Sequence, residues 1–117
     1  MAGLTTHVLD TALGRPAAGV KIELFELRGE TRTRIAAAVT NANGRTDAPL
    51  ISPEDARAAK FELAFHVGAY FREHATSVAD PPFLDVVPIR FSIADPQAHY
   101  HVPLVVAPWG YSTYRGS

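Results

Sequence analysis

Cysteine is absent from the 117 residues, so disulfides, thiolate metal sites and a cysteine nucleophile are excluded, and a noncovalent core must hold the fold. An excess of either charge sign is missing too: 11 Lys and Arg stand against 12 Asp and Glu. That balance lacks the basic footprint of a nucleic-acid binder or a polybasic membrane anchor, so no nucleic acid and no membrane is expected as partner. No apolar run nears the ~20 residues of a membrane-spanning helix. Met1 to His7 has no basic segment followed by an apolar one, as a secretory leader would. A soluble, cytoplasmic protein is the expectation. No Gly-x-Ser-x-Gly elbow, phosphate loop, dinucleotide fingerprint or His-Glu-x-x-His occurs, which removes the commonest motif-based enzyme classes.

What is present reads as a β-rich globular chain. Apolar residues at 47% and charged residues at 20% match one folded domain over residues 1–117, without repeats. Nine prolines and eight glycines punctuate the whole length. Leu4 to Asp10 is predicted as a strand with Thr6 and Val8 on one face and His7 and Leu9 on the other. Gly19 to Leu27, Arg34 to Thr40, Lys60 to Val67, Phe83 to Ile93, His99 to Val106 and a final segment around Tyr111 to Tyr114 are further strands. Phe61, Leu63, Phe65 and Phe83 are expected in the core. Pro88 and Pro103 remove ladder donors and belong at edges, bulges or strand ends.

Asn41 to Gly44 is a turn signal, after which Arg45, Thr46 and Asp47 should begin a short extended segment. Ser52-Pro53-Glu54-Asp55 has the start pattern of about one helical turn. Gly68 should break the preceding strand, and Ala69 to Ala75 is predicted to be the one short helix. Seven or eight short strands with one helix imply an all-β, antiparallel sandwich.

Among five histidines, His99 and His101 stand two apart on a predicted strand and therefore face the same way, ~6.5 Å apart. Such a pair can be two solvated side chains, half of a zinc site lacking an evident third ligand, or two imidazoles addressing one substrate. His7 points away from Val8, and Arg45 leaves a rigid turn; each can be a plain surface residue or part of a site. The polar, aromatic stretch Tyr111 to Ser117 reads alone as a frayed terminus.

Four ordered motifs give these residues a context. Thr6-His7-Val8-Leu9-Asp10 with Gly14-Arg15-Pro16-Ala17, then Gly44-Arg45-Thr46, then His99-Tyr100-His101-Val102-Pro103-Leu104, and finally Tyr111-Ser112-Thr113-Tyr114-Arg115-Gly116-Ser117 resemble the 5-hydroxyisourate hydrolases, the transthyretin-related proteins. The resemblance runs from about Leu4 to Ser117. The closing Tyr-Arg-Gly-Ser separates these enzymes from transthyretin, the hormone carrier. Val105-Val106-Ala107 departs from the leucines and serine more usual there, a change of packing.

The resemblance implies an eight-stranded transthyretin-like sandwich, assembled as a homotetramer with active sites in a channel between dimers. It implies His7, Arg45 and His101 as catalytic residues, and His99, Tyr114, Arg115, Gly116 and Ser117 as substrate-binding residues, with no metal and no cofactor. The implied reaction is hydrolysis of 5-hydroxyisourate to 2-oxo-4-hydroxy-4-carboxy-5-ureidoimidazoline in urate breakdown. A histidine near its ordinary pKa of ~6.5 can take water's proton at neutral pH, and Arg45 suits the charge that develops at the attacked carbonyl. The rival implication is a carrier that binds an apolar small molecule in the same channel.

Overall fold

A computed structural model describes residues 2–74 and 78–116. Some of their strands follow the alternation of apolar and polar side chains, while Thr31–Val39 is exposed over most of its length and starts three residues earlier than the pattern predicts; several others are shorter than predicted. The order is β1 (Gly3–Thr5), β2 (Val8–Asp10), β3 (Arg15–Pro16), β4 (Lys21–Arg28) and β5 (Thr31–Val39), then a 3₁₀ turn (Pro53–Asp55) and β6 (Ala59–His66). Helix α1 (Val67–His74), β7 (Val86–Ile93), β8 (His99–His101), β9 (Leu104–Ala107) and β10 (Gly110–Thr113) complete it.

Two four-stranded sheets face one another, in the orders β10-β9-β2-β3 and β5-β4-β6-β7, while β1 and β8 form a separate pair. The second sheet is antiparallel throughout, whereas β2 with β9 and β1 with β8 run parallel. Val8, Leu104 and Val106 from the first sheet meet Ile22, Leu24, Phe61, Leu63, Phe65 and Val87 from the second in the buried core. This is the all-β sandwich with one short helix that the strand pattern predicts. Among the described residues no helix is long and apolar enough to cross a membrane.

The predicted strand over Leu4 to Asp10 is split at Thr6-His7, and the one over His99 to Val106 is split opposite it at Val102-Pro103. Pro103 has no N–H to give, so the ladder steps around it: Val102 N–H donates to the Thr5 carbonyl at 3.0 Å and Leu104 N–H to the His7 carbonyl at 2.9 Å. Arg45 to Asp47 form no strand, while Arg15–Pro16 pair with β2. The single helical turn expected after Ser52 is the 3₁₀ turn at Pro53–Asp55. Gly68 lies inside α1 instead of ahead of it. A side chain there would sit 3.0 Å from the Asp85 backbone, so the glycine lets the helix lie against that chain.

Phe83 is a clear correction. It is 79% exposed, outside the core, and β7 begins only at Val86. The two prolines before it keep the chain out of the ladder, which leaves the ring on a loop. Pro88 is on β7, the edge strand of its sheet, as its missing donor requires.

Candidate active site

The site grows from the parallel β1–β8 pair, whose register sets Thr5 beside His101 and Gly3 beside His99. Period-two geometry then directs both imidazoles to one face. The Thr5 hydroxyl oxygen lies between them, 3.0 Å from His99 Nε2 and 2.9 Å from His101 Nδ1. Thr5 is the residue that reading the sequence missed. No sequence signal marks it; the next residue, Thr6, is buried and donates to the Val102 carbonyl, which turns Thr5 to the opposite face.

His7 occupies the irregular step between β1 and β2, half-buried beside fully buried Thr6 and Val8. Arg45 is brought to it by the Asn41–Gly44 turn. Asn41 Oδ1 accepts from the backbone N–H groups of Asn43 and Arg45, and the Gly44 carbonyl accepts from Val8 N–H at 2.8 Å. Gly44 has φ +74°, and any side chain there would run into the Val8 carbonyl. Glycine is therefore required for the turn to dock on β2 with Arg45 alongside His7.

Electrostatics report the same convergence. Burial and the Arg45 charge hold His7 below its ordinary value of 6.5, against an upward pull from the Asn43 carbonyl. Burial lowers His101 as well, with Arg45, His7 and His99 adding to it, and the Thr5 carbonyl pulls upward. Arg45 is exposed and forms no ion pair among the described residues, so its fork is open to a substrate oxygen. No group of three His, Cys, Asp or Glu among the described residues is arranged to hold a metal ion.

The C-terminal residues divide. Gly116 N–H donates to the His101 carbonyl at 2.7 Å, and a β-carbon at Gly116 would sit 2.6 Å from His101 Cδ2. Gly116 is thus a floor against which the imidazole lies. Among the described residues neither Tyr114 nor Arg115 makes a hydrogen bond to an imidazole ring. Arg115 stacks on Tyr100, 4.1 Å from its ring centre, with a long 3.4 Å contact to the His99 carbonyl. Both residues line a separate, mainly apolar cleft of about 210 Å³ between β7 and β10. Ser117 lies outside the described residues.

Comparison with known proteins identifies the family. The HIUase/Transthyretin family profile matches residues 4–116. The chain belongs to that family. A 5-hydroxyisourate hydrolase of Deinococcus radiodurans is 59% identical over 98% of this chain and 96% of its own length. The crystal structure of an (S)-allantoin synthase superposes with a TM-score of 0.90 at 42% identity, covering 98% of this chain, which spans only 43% of that larger protein. A Klebsiella pneumoniae 5-hydroxyisourate hydrolase superposes with a TM-score of 0.79 at 36% identity, over the full length of both chains.

Proposed function

We propose that this chain is a hydrolase acting on 5-hydroxyisourate in urate catabolism, with His7, Arg45 and His101 as its catalytic residues. The observation that carries the reading is the meeting of two proton-poor imidazoles and one unpaired guanidinium on a single surface. Whole-length similarity to 5-hydroxyisourate hydrolases supports the substrate.

Water is the nucleophile. Its oxygen adds to the C6 carbonyl of the six-membered ring while an imidazole takes one proton; the N1–C6 bond then breaks, N1 departs with that proton, and C6, still bonded to its neighbouring ring carbon, becomes a carboxylic acid that loses its own proton to solvent. Both His7 and His101 are held neutral at pH 7, the state a general base needs, and such help gives ~10²–10⁴-fold. Arg45 opposes the negative charge on the tetrahedral oxygen, an electrostatic contribution of about 3 kcal/mol where donors are fixed in advance. His99, Tyr114, Arg115, Gly116 and Ser117 are proposed to contact substrate. Since neither Tyr114 nor Arg115 bonds an imidazole within one chain, the reading includes a homotetramer in which a second copy closes the site. It also includes action as one domain over residues 1–117, without cofactor, in the cytoplasm. A carrier for an apolar ligand would need a mainly hydrophobic lining, which this cluster of charge and imidazole does not offer.

The test follows the ultraviolet signal of 5-hydroxyisourate freshly generated by urate oxidase, with and without the protein. The expected result is rapid loss of signal with the wild-type chain and at least ~100-fold slower turnover with folded His101→Asn. No acceleration by the wild type would overturn the function, and near-normal His101→Asn would remove His101 from the mechanism.

A further inference from the structure

We infer that Thr5 is a positioning residue for this hydrolysis, its hydroxyl joining His101 to His99 in a relay that fixes the His101 tautomer and passes a proton between the two imidazoles. The inference rests on His101 as general base.

A hydroxyl has one hydrogen and two lone pairs. Placed 2.9 Å from His101 Nδ1 and 3.0 Å from His99 Nε2, the Thr5 oxygen can satisfy both by accepting from one ring and donating to the other. The relay takes the direction in which His101 Nδ1–H donates to Thr5 Oγ1 and Thr5 O–H donates to His99 Nε2, since a general base needs its lone pair on the nitrogen turned away from the threonine. This arrangement leaves the lone pair on His101 Nε2, the opposite nitrogen of the ring, free for water. The parallel register and the Val102 N–H bond to the Thr5 carbonyl hold the threonine in place for both partners.

Each transfer balances. When His101 Nε2 takes a proton from the attacking water, its Nδ1 proton passes to Thr5 Oγ1 and the threonine's own hydrogen passes to His99 Nε2. The hydroxide oxygen bonds to the substrate carbonyl carbon, and the positive charge comes to rest on His99. His101 is then neutral with its hydrogen on Nε2, ready to donate to the departing ring nitrogen, and the relay runs back. The charged and titratable groups around the pair are His7, Arg45 and, through the His99 carbonyl, Arg115. Arg45 and His7 both oppose a positive charge on His101, so moving it one step along relieves that repulsion.

The relay is tested with Thr5→Val, which keeps the branched shape and removes the hydroxyl, and Thr5→Ser, which keeps the hydroxyl. Thr5→Val should lose ~10–100-fold in kcat with KM within about threefold and an altered acid limb of the pH profile, while Thr5→Ser stays within about threefold of wild type. Histidine ¹⁵N spectra of the unmodified protein should show His101 with its hydrogen on Nδ1, and Thr5→Val should lose that preference. Wild-type kcat and pH profile in Thr5→Val would overturn the relay. So would equal impairment of Thr5→Ser and Thr5→Val, or a His101 hydrogen on Nε2 in the resting enzyme. Full turnover by His101→Asn would instead overturn the general-base reading on which the relay rests, so the two failures are distinguishable.

Discussion

His7 and His101 hold protons less tightly than a free imidazole because burial removes solvent from the charged ring and Arg45 repels it. Both groups must be neutral to act as bases, so kcat/KM should be flat around pH 7 and fall only on an acid limb below 6.5. Replacing Arg45 with Gln removes a repelling charge, so the acid limb should move upward in pH while the plateau drops; a rate profile from pH 4.5 to 8 checks this. An unshifted limb would show that Arg45 acts on substrate alone. The same shifts act on stability. Folded values below the unfolded value mean that the unfolded chain binds more protons in that window, so stability is lost as pH falls through 6.5 toward the folded values. His7, Arg45 and His101 were legible from motif order, and the shared face of His99 and His101 from strand period. Thr5 was not, because a threonine in a strand carries no spacing signal and only the parallel register reveals that it bridges two rings.

Elements were legible where apolar residues alternate. β6 is the example: Phe61, Leu63 and Phe65 face the core as period two demands, while alternation could not announce that Glu62 on the other face is only 4% exposed. Burial alone pushes Glu62 upward, but Arg32 from β5 and Arg90 from β7 outweigh it and hold the carboxyl below its ordinary range. A bulge between Leu24 and Phe25 shifts the β4–β5 register, an irregularity that alternation cannot announce. Helix α1 is tied to β2 through one buried pair. Tyr70 O–H donates to Asp10 Oδ2 at 2.7 Å while Asp10 Oδ1 accepts from the backbone N–H groups of Ala12 and Leu13. Burial and that carboxylate push the phenol up to about 12, so the tyrosine remains a donor across the working range. Tyr70→Phe should leave the buried Asp10 oxygen without its partner and lower stability by ~1–3 kcal/mol, read as an earlier denaturation midpoint, with little change in kcat. A midpoint equal to wild type would show that another donor or water replaces the phenol.

At the scale of the whole molecule, the feature a single chain leaves unexplained is its exposed aromatic surface. Phe83, Trp109, Tyr111 and Tyr114 are all exposed, with Phe83 and Trp109 at 79% and 70%. A phenylalanine before an alternating strand is commonly buried, so the sequence points Phe83 inward, whereas the structure leaves its ring on an exposed loop. Edge strands β7 and β10 border one cleft, and that flank offers two open ladders as well as an apolar gap lined by Phe91, Tyr100 and Val102. In the proposed homotetramer these edges would take strand partners and the histidine cluster would gain a wall. Phe83→Asp separates scaffold from assembly: the exposed loop position leaves the sandwich intact, while a carboxylate in an interface meant for an aromatic ring carries an uncompensated desolvation cost. The expected outcome is a folded chain of smaller mass by sedimentation, with kcat/KM reduced at least ~10-fold because water then enters the site and weakens the field of Arg45. Circular dichroism with sedimentation and a turnover assay decides it. A tetrameric, fully active Phe83→Asp would place the ring outside every working interface, and a monomer with full activity would show that one chain builds the whole site.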